Sequence, residues 1–146
     1  MTTAEFIYKT YGTTNSRWGR HGYERWCSSV LTDKDGNAYS YGYHYPLLFK
    51  VEGLDILNVT GYSNTTAKHI SWAWRAVSNP VEVELRGARL PLTLKDIQVK
   101  LGSQLADLKH QMDSKKRKDT QVYKQLEWQY ARVAANYNRV QNRVTA

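Results

Sequence analysis

The run "DSKKRKD", Asp113 to Asp119, decides how the last third of this chain folds. Before it, Leu94, Ile97, Leu101, Leu105, Leu108 and Met112 recur every three or four residues; after it, so do Val122, Leu126, Tyr130, Val133, Tyr137, Val140 and Val144. That spacing lines each set along one face of an α-helix. The run between them holds four cations and no apolar residue, so it interrupts the stripe, yet it contains neither Gly nor Pro to force a turn. A helical hairpin is the preferred reading, because it lets two stripes be covered at once. One continuous helix would leave its stripe exposed unless two copies paired as a coiled coil, so that alternative carries a homo-oligomer with it. In either form Leu101, Leu105, Leu108, Val122, Leu126 and Val133 are the expected interface, made against the N-terminal domain or a second copy.

Working outward, the composition changes where the stripes begin. Residues 92–146 hold eleven Lys/Arg against five Asp/Glu, or +6, whereas residues 1–91 hold ten against eight, or +2. Beyond Pro91 there is one glycine and no proline. A boundary near Leu90 follows, with an α+β domain over 1–90 and a basic helical region over 91–146.

The first part reads as a small antiparallel sheet. "YERWCSSVLT" alternates as a strand, "DKDGN" carries an Asp-Gly turn signal, and "AYSYGYHY" resumes period two, so these pieces predict a hairpin. On its second arm Tyr39, Tyr41, Tyr43 and Tyr45 fall on one face as a tyrosine ladder, which suits a core or, if exposed, base stacking. The core is the preferred place. "LLFKV" and "DILNV" predict two further strands around Glu52-Gly53, and "VEVELR" another with Val81, Val83 and Leu85 inward. "EFIYKTYG", Glu5 to Gly12, is a further candidate strand.

Within "GYSNTTAKHISWAWRAVSNP" a short helix is expected over about Thr66 to Val77, with Ala67, Ile70, Trp74 and Val77 buried and Lys68, His69, Trp72 and Arg75 on other faces. Its Ser-Asn-Thr-Thr start suits a helix cap. Thr65, Thr66, Lys68 and His69 also suit a phosphate or carboxylate, since free backbone N–H groups, hydroxyls and a cation would converge there. His69 as a base beside a threonine nucleophile would need an orienting acid and an oxyanion site, and the adjacent sequence supplies neither. No catalytic residue is assigned.

"SRWGRHGYERW", Ser16 to Trp26, adds a second basic element. Its two glycines favour a loop on which Arg17, Trp18, Arg20 and His21 combine phosphate attraction with an aromatic face. An arginine-on-tryptophan cluster that merely solvates a loop has the same composition. Lys115, Lys116, Arg117 and Lys118 make the third basic element. A net charge of +8 over 146 residues favours polyanions or acidic surfaces as partners. Four scattered histidines and the single Cys27 show no ligand spacing, so neither metal nor cofactor is expected. Without an export signal or a long apolar run, a soluble, cytoplasmic protein with no membrane partner is expected.

The "YSYG" of Tyr39–Gly42 and the "YSNTTAKH" of Tyr62–His69 together resemble a signature of small bacteriophage proteins, in which a Tyr-Ser-Tyr-Gly strand precedes Tyr-Ser-x-Thr-Thr-x-x-His at a helix start. The resemblance covers about residues 5–77 and none of the helical third. It implies a phage or prophage accessory protein acting in a bacterial host cell, and it transfers no catalytic role. Two functions are compatible with it: a non-enzymatic binder of nucleic acid or of a host nucleoprotein, and an inhibitor of a host defence system or assembly factor docking through its C-terminal helices.

Overall fold

The computed structural model describes residues 24–27, 30–32, 37–40, 45–60 and 64–145; the side chains of 24–27, 30–32, 64–66, 68, 72 and 76 are outside that description. The architecture is α+β, in two compact units, Met1–Pro91 and Leu92–Ala146, with the division beside Leu90.

In the first unit, β1 (Glu24–Cys27), β2 (Val30–Thr32), β3 (Ala38–Ser40), β4 (Pro46–Val51), β5 (Leu54–Asn58) and β6 (Val81–Val83) form one sheet in sequential order. The segment read as one strand, "YERWCSSVLT", is two antiparallel strands, β1 and β2, with an irregular register between Arg25 and Cys27. Pairing is antiparallel from β1 to β5, but β5 and β6 run parallel, so the sheet is mixed rather than antiparallel. Helix α1 (Asn64–Ala76) is the reason: it fills the crossover that a parallel pair requires. At the β4–β5 turn Glu52 and Gly53 both have positive φ, 47° and 82°, the conformation that matches the twist of a two-residue hairpin.

Leu47, Leu48 and Phe49 are all buried, although successive strand residues point to opposite faces. Both sides of β4 are therefore covered. One cluster joins Ala38, Leu47, Leu48 and Leu57 to Ala73 of α1, with Tyr45, Val59, Ile70 and Val77 packed against it. Tyr39, 4% exposed, is also in the core, so the two described members of the tyrosine ladder are structural. Tyr41, Tyr43 and the candidate strand Glu5–Gly12 lie outside the described residues.

A buried polar network ties the strand ends together. The Asn58 amide donates to the Pro46 carbonyl at 2.9 Å, while its Oδ1 accepts from the backbone N–H groups of Thr60 at 3.1 Å and Leu85 at 3.2 Å. The Leu85 N–H also reaches Thr60 Oγ1 at 3.0 Å. Tyr45 donates its hydroxyl to the carbonyls of Asn58 and Thr60. One asparagine thus satisfies backbone groups from three segments, which keeps their burial from being destabilising.

The second unit is the helical hairpin, α2 (Leu94–Asp113) and α3 (Gln121–Val144). Side-chain hydroxyls, not Gly or Pro, set its boundaries. Thr93 caps α2 in a reciprocal box with Asp96: its Oγ1 accepts from Asp96 N–H at 3.1 Å, and Asp96 Oδ2 accepts from Thr93 N–H at 2.8 Å. Hydrogen bonds from the Thr93 backbone first, and its side chain second, hold the Asp96 carboxyl below the usual carboxylate range. At the far end of α2, Ser114 Oγ donates to the Gln111 carbonyl at 2.7 Å. Thr120 then starts α3 by accepting from Tyr123 N–H at 3.2 Å.

Leu94, Ile97 and Leu101 on α2 and Leu126, Asn136 and Val140 on α3 are buried. Gly102 passes the Tyr137 ring, where an added Cβ would lie 3.7 Å from Cε2, an ordinary contact. Leu105, Leu108 and Val133 are half-buried. Val122 is 58% exposed in the single chain, and Tyr123 takes the half-buried position in the first turn of α3.

Candidate nucleic-acid interface

Of the three basic elements, the structure describes one completely. Lys115, Lys116, Arg117 and Lys118 occupy the connection Ser114–Thr120 between α2 and α3, and all four are exposed. A connection this short, closed at one end by Ser114 and at the other by Thr120, presents its cations as a group at the hairpin tip. Arg117 Nη2 lies 3.1 Å from Asp119 Oδ2, an ion pair whose side chains are 76% and 71% exposed. Such a pair is screened by solvent and holds the guanidinium only weakly. Lys118 Nζ sits 5.9 Å from the centroid of the Tyr123 ring, close enough for the ring to favour the ammonium over its face. Two of the four cations are thus locally oriented without being buried.

The helix-start element is different. Thr65, Thr66, Lys68 and His69 all belong to α1, which begins at Asn64. His69, expected on an accessible face, is instead fully buried, and its Nδ1 lies 2.7 Å from Ser40 Oγ on β3. It therefore cannot present its ring at the surface for an anion. The buried stripe of α1 runs through His69 and Ala73, with Ile70 and Val77 half-buried, while Ala67 is exposed and Trp74 is 40% exposed. The helix is rotated from the expected face because a polar pair with Ser40 makes a histidine acceptable in the core, and an apolar pattern does not count histidine. The side chains of Thr65, Thr66 and Lys68 are outside the description, as is the whole of the Arg17, Trp18, Arg20 and His21 loop. The helix-start and hairpin-tip elements belong to different units.

Ser40 Oγ and His69 Nδ1 are as close as a nucleophile and its base, but Ser40 is 1% and His69 0% exposed. At that burial the bond ties β3 to α1. Replacing Ser40 by alanine should cost about 1–3 kcal/mol, the effect of leaving a buried imidazole nitrogen unsatisfied. Urea denaturation with hydrogen exchange on β3 and α1 measures it; a change within experimental error would show that the bond contributes nothing.

A second aromatic–cation group lies off the apolar stripe. On α3, Trp128 is 60% exposed and the Arg132 guanidinium carbon lies 5.1 Å from its ring centroid. Lys124, one turn earlier, is exposed too. Sequence reasoning from the stripe does not find this group, although its signal is present as a tryptophan with basic residues four before and four after it. Among the described residues, no cluster of His, Cys, Asp and Glu is arranged to hold a metal ion, and no helix is long and apolar enough to cross a membrane. No protein-family model, curated protein or solved structure matches the chain.

Proposed function

We propose that this protein is a non-enzymatic accessory protein that binds nucleic acid, or a nucleoprotein complex exposing its phosphates, through its basic helical hairpin. The observation that carries the reading is the tip, where four consecutive cations are exposed on a connection fixed by hydroxyl caps at both ends. Around them the unit 92–146 carries a net +6. Phosphates meeting such a surface release counterions, and that release drives association without requiring base recognition. The bacteriophage-type signature in the first unit supports a bacterial host as the setting.

The competing reading, a protein inhibitor or assembly factor docking through the apolar stripe, has less surface to use. Of the six stripe residues, Leu101 and Leu126 are buried, Leu105, Leu108 and Val133 are half-buried within this one chain, and Val122 is exposed.

Neutralising Lys115, Lys116 and Lys118 together by alanine leaves the Arg117–Asp119 pair in place and tests the reading. Fluorescence anisotropy with short labelled DNA and RNA should show weaker binding and a shallower dependence of log affinity on log salt. The slope should fall by about one unit for each phosphate that is no longer neutralised. Absence of wild-type binding at low salt, or an unchanged slope in the variant, would return the hairpin to the protein-docking reading.

A further inference from the structure

The hairpin carries a surface that charge alone does not explain. Large aromatics are normally placed where their area is removed from water, yet Trp128 is 60% exposed on a helix that half-buries its other aromatics, Tyr123, Tyr130 and Tyr137. Arg132 lies against its ring, while Lys124 stands one turn before it, so the indole is bracketed by cations at intervals of roughly 6 Å along the axis. Gln121, Gln125, Ala131, Ala135 and Asn138 extend this exposed face along the helix. Over its whole length α3 holds Lys124, Arg132, Arg139 and Arg143 against the single acid Glu127. An exposed aromatic between cations, on a helix of positive charge, is complementary to a ligand that has both a flat apolar face and a negative backbone.

We propose that α3 is a stacking platform for single-stranded nucleic acid, with Trp128 receiving an unpaired base while Lys124 and Arg132 meet the phosphates on either side. The proposal rests on the nucleic-acid reading above and narrows its ligand. A single strand can turn a base face toward the indole; a duplex keeps its base faces stacked and offers mainly phosphates. Arg132 has a second role in this arrangement, since its guanidinium against the ring restrains the indole before the base arrives. Lys115–Lys118 then supply general attraction, and Trp128 supplies the preference for the unpaired strand.

The test compares wild type, Trp128→Ala, Trp128→Phe and the Lys115/Lys116/Lys118 alanine variant on a labelled mixed-sequence single strand and on the same sequence as a duplex, by anisotropy at several salt concentrations. Because Trp128 is exposed, its replacement should leave the far-ultraviolet circular dichroism and melting unchanged. Trp128→Ala should weaken single-strand binding by about tenfold or more with nearly the same salt slope, and should leave duplex binding within experimental error of wild type. Trp128→Phe should recover most of the loss, because another aromatic face can stack. If Trp128→Ala equals wild type on the single strand, or weakens single strand and duplex alike, the stacking proposal is overturned while the tip variant still reports on general nucleic-acid binding. If wild type binds neither ligand, both readings fall together.

Discussion

Replacing Leu101 by aspartate should remove enough stability to unfold the hairpin. Leu101 has no solvent exposure, so the substitution loses the packing of a complete leucine side chain and puts a carboxylate where no water reaches it. The combined cost is about 4 kcal/mol or more, a large share of the 5–15 kcal/mol that holds ordinary domains folded. The penalty has a pH signature. Burial of the new carboxyl raises its pKa in the folded state above the ordinary aspartate value of about 3.9. Destabilisation should therefore be complete above that raised value and shrink as pH falls through it, leaving only the lost packing below about pH 3.9. Leu101→Met, which nearly conserves volume, should cost less than about 1.5 kcal/mol. Denaturation followed by helical circular dichroism, with hydrogen exchange on α2 and α3, separates these outcomes; an aspartate variant as stable as wild type would show that the stripe contributes no buried interface.

Asn58 should be the corresponding weak point of the sheet unit. Asn58→Leu leaves the Thr60 N–H and the Pro46 carbonyl without their side-chain partner, while the Leu85 N–H keeps Thr60 Oγ1. Two orphaned backbone groups predict a loss of about 2–4 kcal/mol. Thr60→Val should cost less, because Leu85 N–H retains Asn58 Oδ1 at 3.2 Å. Asn58→Asp distinguishes hydrogen bonding from packing. It keeps the shape but sets a carboxylate oxygen against the Pro46 carbonyl, so its folded-state pKa is raised. Its instability should thus ease as pH falls through that value, where the protonated carboxyl can donate in place of the amide. Equal stability of the leucine variant and wild type in urea would remove the network from the account.

How much of this was legible depends on the kind of signal. The helical third was readable because apolar residues at three- and four-residue spacing mean a helix wherever they occur. The basic tip was readable for a related reason, since four cations in a polar break have no core position to occupy. The hairpin itself rests on weaker marks: Ser114 and Thr120 end and restart the helix through single hydrogen bonds, which composition does not distinguish from solvent-facing hydroxyls. Trp128 was not legible as a site residue, because periodicity assigns every off-stripe position to solvent without regard to its chemistry.

By itself the sequence determined the class of each element, the composition boundary near Leu90 and the concentration of positive charge beyond it, because propensity, periodicity and net charge are sums over local residues. Only the tertiary structure decided that β6 lies parallel to β5, since alternation within a strand is identical for either direction of its neighbour. It also decided that His69 and Asn58 are core residues. For both, partners distant in the chain complete the hydrogen bonds that make burial acceptable: Ser40 is 29 residues from His69, and Leu85 is 27 residues from Asn58. No local pattern contains that information, because the partner's position exists only once the sheet and helix have packed.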